Sequence, residues 1–215
     1  MFPTGAFAHS YGLETYVQEG RVTDAAALQS LLLGQLRWGL SKVDLLICKE
    51  TVLAREDADL ARLRFLDSLL SAARPAAEAR KASEEVGRRL LRSGRSLVGP
   101  DPMLDALHTD IQDGTIAGQH AIVFGVLGGA LGLEIDDILT AYCYTFVAGQ
   151  ASAAVRLVPL GQTDALQTVK ALWPAIEDAV HIAQNSTLAD FGSFTPAQDI
   201  RAMQHAYLDG RLFMS

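Results

Sequence analysis

Five histidines, His9, His108, His120, His181 and His205, and two cysteines, Cys48 and Cys143, are the side chains best suited to metal or proton chemistry, and their spacing supports neither. No H-x-x-x-H pair sets two imidazoles on one helical face, and no cysteine falls within a turn of any histidine. A carboxylate di-iron bundle needs two E-x-x-H pairs and two further glutamates, whereas only Asp178 to His181 has a related spacing. Cys48 and Cys143 sit in apolar helical runs without neighbouring cations, which raises a thiol pKa and leaves the group inert. They form no C-x-x-C pair or disulfide framework, as suits a reducing compartment.

Nucleotide chemistry fails on the same test. A phosphate loop needs G-x-x-x-x-G-K-[ST], which does not occur, and the glycines at 125, 128, 129 and 132 follow no strand and carry no lysine, so they read as packing residues. The G-x-S-x-G elbow is absent too, and Ser10, between His9 and Tyr11, has no base with an orienting carboxylate. A binding protein is the main reading. Two others stand beside it: an all-α enzyme using His120 and Tyr144 between the glycine-rich helix and the Tyr142 helix, and a purely structural helical dimer.

Recognition then falls to surfaces. The tail Arg211-Leu212-Phe213-Met214-Ser215, after His205, places one cation beside three large apolar side chains, and such a segment docks on its own chain or on another. Near the start, His9, Tyr11 and Glu14 lie among small residues; Tyr11 is either a half-buried aromatic or an interface anchor. Arg80, Lys81, Arg88, Arg89, Arg92 and Arg95 make a locally basic helix in a chain of formal charge −7. It is either a solvated face paired with Glu84 and Glu85 or a contact for an acidic partner. Arg156 and Gln162 flank the Val158-Pro159-Leu160-Gly161 turn, where the arginine is a helix-terminal cap or a contact residue.

The elements that must position these residues are helices throughout. Periodicity of 3.6 dominates and alternating β-branched runs are missing, so the chain is expected to be all-α, a single compact helical bundle with a possible seam near 98–114. Thr23-Asp24 caps a helix carrying Leu28, Leu31, Leu32, Leu36, Leu40 and Val43, with a break near Gly39. Leu60 to Leu70 mark another helix, ended by Pro75, and a further one runs from about 76 to 91. Gly99-Pro100-Asp101-Pro102 and Asp113-Gly114 bound a loop-rich connection. Two helices rich in small residues, over 118–132 and from an Asp136 cap to Arg156, are expected to cross near the centre. Thr163 or Asp164 opens the next helix, which Trp173-Pro174 kinks. Thr195-Pro196-Ala197-Gln198 has the capping-box pattern with proline at the first helical position.

At 215 residues, 49% hydrophobic, the chain can bury a sizeable core. Its negative charge argues against nucleic acid, whose phosphates need clustered cations. The most membrane-like stretch, 121–133, falls short of a span and reads as a buried helix, and no secretory signal opens the chain. A cytoplasmic setting follows.

Three segments carry a family resemblance. Phe2-Pro3-Thr4-Gly5-Ala6-Phe7-Ala8-His9-Ser10-Tyr11-Gly12-Leu13-Glu14, Ala153-Ala154-Val155-Arg156-Leu157-Val158-Pro159-Leu160-Gly161-Gln162-Thr163 and the tail from Pro196 to Ser215 together resemble the urease accessory protein UreF family. Glu78, Arg80, Ser83, Gly87 and Arg88 also resemble the family's E-x-R-x-x-S and later G-R pattern. The resemblance implies an all-helical, non-catalytic cytosolic chaperone and adaptor that helps insert nickel into apo-urease. Its implied partners are a scaffold accessory protein, a GTPase accessory protein, apo-urease and a second copy of itself. It implies no resident cofactor: the complex handles nickel transiently and the partner binds GTP. The C-terminal segment is expected to touch the scaffold and help recruit the GTPase, and buried polar residues to line a passage for the ion. His9, Tyr11, Glu14, Arg80, Arg88, Arg156, Gln162, His205, Arg211, Leu212 and Phe213 are the candidate partner-binding residues.

Overall fold

The computed structural model describes residues 9–215; the Phe2 to Ala8 part of the N-terminal motif lies outside them. Among the described residues there is no strand, and eleven α-helices follow one another: α1 Leu13–Gln18, α2 Ala25–Trp38, α3 Asp44–Glu56, α4 Leu60–Ala72, α5 Ala77–Val98, α6 Pro102–Gln112, α7 His120–Ala130, α8 Ile135–Leu157, α9 Gln162–Ala171, α10 Trp173–Asn185 and α11 Pro196–Gln204. The all-α expectation holds. Asp24 caps α2 by accepting from the Ala27 N–H, and Leu28, Leu32 and Leu36 go into the core. Gly39 ends the helix, a 3₁₀ turn over Leu40–Lys42 follows, and α3 starts again at Asp44.

α7 is the central element, packed most extensively on α5 and α3 rather than on α8. Glycines on α7 and α5 explain how. A Cβ at Gly125 would stand 2.9 Å from the Cys48 carbonyl oxygen on α3, and one at Gly87 on α5 would stand 2.1 Å from the Gly118 carbonyl oxygen. The backbones touch there because no side chain intervenes. The small residues of α8 are divided: Ala151, Ala153 and Ala154 are buried, while Ala141, Thr145, Gly149 and Ser152 face outward. α8 is the one helix among the described residues long and apolar enough by composition to cross a membrane, and half of its apolar window is buried in this core.

Several local expectations are corrected. The 98–114 connection is largely helical: Asp101 accepts from the Met103 and Leu104 N–H groups, Pro102 occupies the first turn of α6, and Leu104 and Leu107 are buried. Proline had marked a helix start there, not a loop. α5 continues past 91 to Val98. Glu134, not Asp136, precedes α8, and Gly161 precedes α9 with Asp164 accepting from its N–H at 3.0 Å. Trp173-Pro174 opens a new helix after Leu172 instead of kinking one. α11 starts at Pro196 as its sequence pattern predicts, but the reciprocal cap does not form; the Thr195 carbonyl receives the Gln198 and Asp199 N–H groups, and the Gln198 side chain is used elsewhere.

Candidate functional site

The two ends of the described chain meet. The Ser215 carbonyl oxygen accepts from the Ser10 N–H, the Tyr11 N–H at 3.0 Å and the Ser10 hydroxyl at 2.8 Å, while the Ser215 hydroxyl pairs with His9 Nδ1 at 2.9 Å. Tyr11 and Gly12 both have left-handed backbone, φ 50° and 85°, which turns the chain sharply into α1. Gly12 is needed for contact as well: a Cβ there would lie 3.2 Å from the Ala202 nitrogen of α11.

Glu14, in the first turn of α1 and 1% exposed, is the hub. Its carboxylate accepts from the Leu212 N–H at 2.7 Å, the Phe213 N–H at 3.1 Å and His205 Nε2 at 3.0 Å. His205 is fully buried, and its Nδ1 lies 2.7 Å from Glu78, whose other oxygen receives Arg211 at 2.7 Å. The tail therefore alternates: Phe213 and Ser215 point in, whereas Leu212 and Met214 are 70% and 57% exposed. Arg156, at the end of α8, lies over the buried Phe213 ring with 4.7 Å to its centroid, a contact on the order of 0.5–2 kcal/mol.

α11 joins the same face through polar contacts. Thr15 donates to the Arg201 carbonyl, Arg201 pairs with Glu19 and stacks on Tyr16 at 4.4 Å, and Gln35 donates to Gln198, which itself donates to the Tyr11 carbonyl. None of its side chains is buried. Pro196, Ile200, Met203 and Tyr207 form an outward apolar stripe at helical spacing, continuous in chain order with Leu212 and Met214.

Behind α11 lies a cavity of about 180 Å³, walled in part by Tyr11, Asp44, Arg74, His120, Tyr142 and Gln198. Asp44 accepts from the Tyr142 hydroxyl at 2.8 Å and from Arg74, so its charge is matched inside the wall. Burial pushes the Tyr11 hydroxyl up to about 12 and the His120 imidazole down to about 4, leaving both neutral near pH 7. His120 stacks on Tyr142 at 4.9 Å, while Tyr144 points away, 45% exposed and 6.2 Å from the Trp173 ring. The pairing of His120 with Tyr144 on which the enzyme reading rests is thus not made, because two residues along a helix turn the side chain by roughly 200°. Among the described residues no three His, Cys, Asp or Glu side chains are placed to hold a metal ion.

The UreF family's sequence pattern matches residues 22–172. The chain is 34% identical over 213 residues to the urease accessory protein UreF of Paenarthrobacter aurescens (strain TC1), covering 99% of this chain and 92% of that protein. It belongs to the UreF family. Two more UreF relatives agree: that of Lachnoclostridium phytofermentans, 34% identical over 214 residues with 100% of this chain and 93% of the relative covered, and that of Actinobacillus pleuropneumoniae serotype 3, 35% identical over 213 residues with 99% and 93% covered.

Within this UreF fold, His9, Tyr11, Glu14, Arg156, His205, Arg211, Leu212 and Phe213 converge on one face. The other three candidates do not. Arg80 donates to the Arg74 carbonyl at 2.6 Å, Arg88 pairs with Glu84 and donates to the Ala117 carbonyl, and Gln162 is an exposed first residue of α9. Two more cations of the basic helix are paired, Arg89 with Glu85 and Arg95 with Asp105. Sequence reasoning missed Glu78 as an anchor of the tail and the Asp44–Arg74–Tyr142 group altogether. An aspartate and a tyrosine 98 positions apart carry no shared spacing signal.

Proposed function

We propose that this protein is a urease accessory protein that works without catalysis, as an adaptor in the assembly that inserts nickel into apo-urease. It bridges a scaffold accessory protein and a GTPase accessory protein in the cytoplasm. The relatives' shared name and near full-length coverage support the urease role. The observation that carries the adaptor reading is the terminal face: a tail fixed by a buried carboxylate, with Leu212, Met214, Ile200, Met203 and Tyr207 left outward beside Arg211. Exposed aromatic and aliphatic side chains beside an arginine are what a protein interface uses as anchors. The scaffold covers this face and the GTPase, which brings its own nucleotide site, is recruited next to it, near Arg156.

The nickel ion is cargo, and within this chain its route is assigned to the cavity behind α11, where Gln35, Gln150 and His9 each hold a buried polar atom with no protein partner among the described residues. The outward small residues of α8, beside the cavity mouth, are assigned to a second copy of the chain. The test is urease activation in cells lacking the native accessory protein, with the full chain and with a chain missing residues 210–215. Loss of activation and of scaffold capture on truncation is expected; full activation by the truncated chain refutes the tail assignment.

A further inference from the structure

We infer that Glu14 is a positioning residue for recognition: it touches no partner, but its carboxylate sets which tail side chains face outward. This rests on the tail reading above and deepens it. Three facts lead here. Glu14 is almost fully buried, so it offers no surface to a partner. Both of its oxygens are used on adjacent backbone N–H groups, those of Leu212 and Phe213, so it fixes the backbone at two successive residues rather than a side chain. The chain bends at Leu212 and Phe213, and a bend whose two successive N–H groups are held by one carboxylate has fixed directions in which its side chains leave the backbone. Phe213 is directed under Arg156 and Leu212 and Met214 are directed out.

The shape of the site explains why a carboxylate is required. Three donors converge on two oxygens: two N–H groups and His205 Nε2. A glutamine has the same outline but only one acceptor, and its NH₂ would face a donor at short range. His205 is in turn held by Glu78, which also anchors Arg211, so the tail is clamped from both sides of one buried imidazole. Charged hydrogen bonds of this kind are worth more than neutral ones, and an unmatched donor left buried adds its desolvation cost.

Glu14→Gln therefore separates an acceptor role from mere space filling. In the full chain, amide hydrogen exchange over residues 208–215 and calorimetric affinity for the scaffold accessory protein are measured for wild type, Glu14→Gln and Glu78→Gln. In Glu14→Gln the Leu212 and Phe213 amides are expected to exchange at least about tenfold faster while α7 keeps its protection, with affinity falling about tenfold, in line with the loss of one charged hydrogen bond. Glu78→Gln gives a smaller change of the same sign. Unchanged exchange at Leu212 and Phe213, or faster exchange with unaltered affinity, overturns the inference. A chain lacking residues 210–215 tells the two readings apart: if it binds the scaffold as wild type does, the tail reading itself fails, whereas if it does not bind while Glu14→Gln does, only the positioning role fails. Should Glu14→Gln also expose α7, Glu78→Gln decides, and unchanged tail exchange there refutes the clamp.

Discussion

Asp44→Asn tests the wall of the cavity. The Asp44 carboxylate receives Tyr142 and Arg74, and all three groups are largely shielded from solvent: Asp44 is 8% exposed and Tyr142 5%. Asparagine keeps an acceptor of the same shape, so the hydroxyl bond survives and the loss is chiefly the charge that matches Arg74. Removing one partner of a buried pair costs about 3–5 kcal/mol, and the retained acceptor places this change near the lower end. With a urea dependence of about 2 kcal/mol per molar, the unfolding midpoint is expected to fall by about 1.5 M. Arg74→Met, which removes the other charge, is expected to be comparably damaging alone. The double variant is expected to be about 2 kcal/mol more stable than the sum of the singles, because neither charge is then left unmatched. Urea titration followed by circular dichroism measures all four proteins. A midpoint for Asp44→Asn within about 0.2 M of wild type, or strict additivity in the double variant, refutes the claim that the pair is internally matched.

The remaining predictions are simpler. Gly87→Ala would place a Cβ 2.1 Å from the Gly118 oxygen and is expected to lower the melting temperature by roughly 10 °C or prevent folding, since backbone meets backbone there. Gly149→Ala meets nothing within 4 Å and is expected to raise stability by up to about 1 kcal/mol through helix propensity; a loss on thermal melting refutes the open face of α8. His120 has its pKa lowered by burial to about 4, so between pH 6.5 and 4 the unfolded chain binds more protons than the folded one. Stability is therefore expected to fall as pH drops through that window, by less than about 3 kcal/mol given the partial exposure of the ring to the cavity. His120→Phe should flatten this part of the profile; an unchanged slope counts against it.

What could be read in the chain beforehand was local. Asp24 before a leucine stripe, Gly39 as a break and Thr195-Pro196 as a start are signals carried within a few residues, and each appears where its chemistry places it. Signals with two meanings went astray. Pro102 after Asp101 opens a helix as readily as it ends one, and only the burial of Leu104 and Leu107 decides between them. Tyr142 and Tyr144 look alike in sequence, yet α8 turns one to Asp44 and the other to solvent. The convergence of Glu14, Glu78 and His205 was beyond reach, since it depends on α1, α5 and the segment after α11 arriving at one point.

Glu14 is synthesised 198 positions ahead of Leu212, the residue whose amide it holds. At ribosomal speeds of about 5–20 residues per second, the early glutamate waits for roughly 10–40 s before its mate leaves the ribosome. Throughout that interval no nascent or prematurely terminated chain can display the finished surface. A face assembled from residues so far apart in order of synthesis forms only on chains in which both have been made.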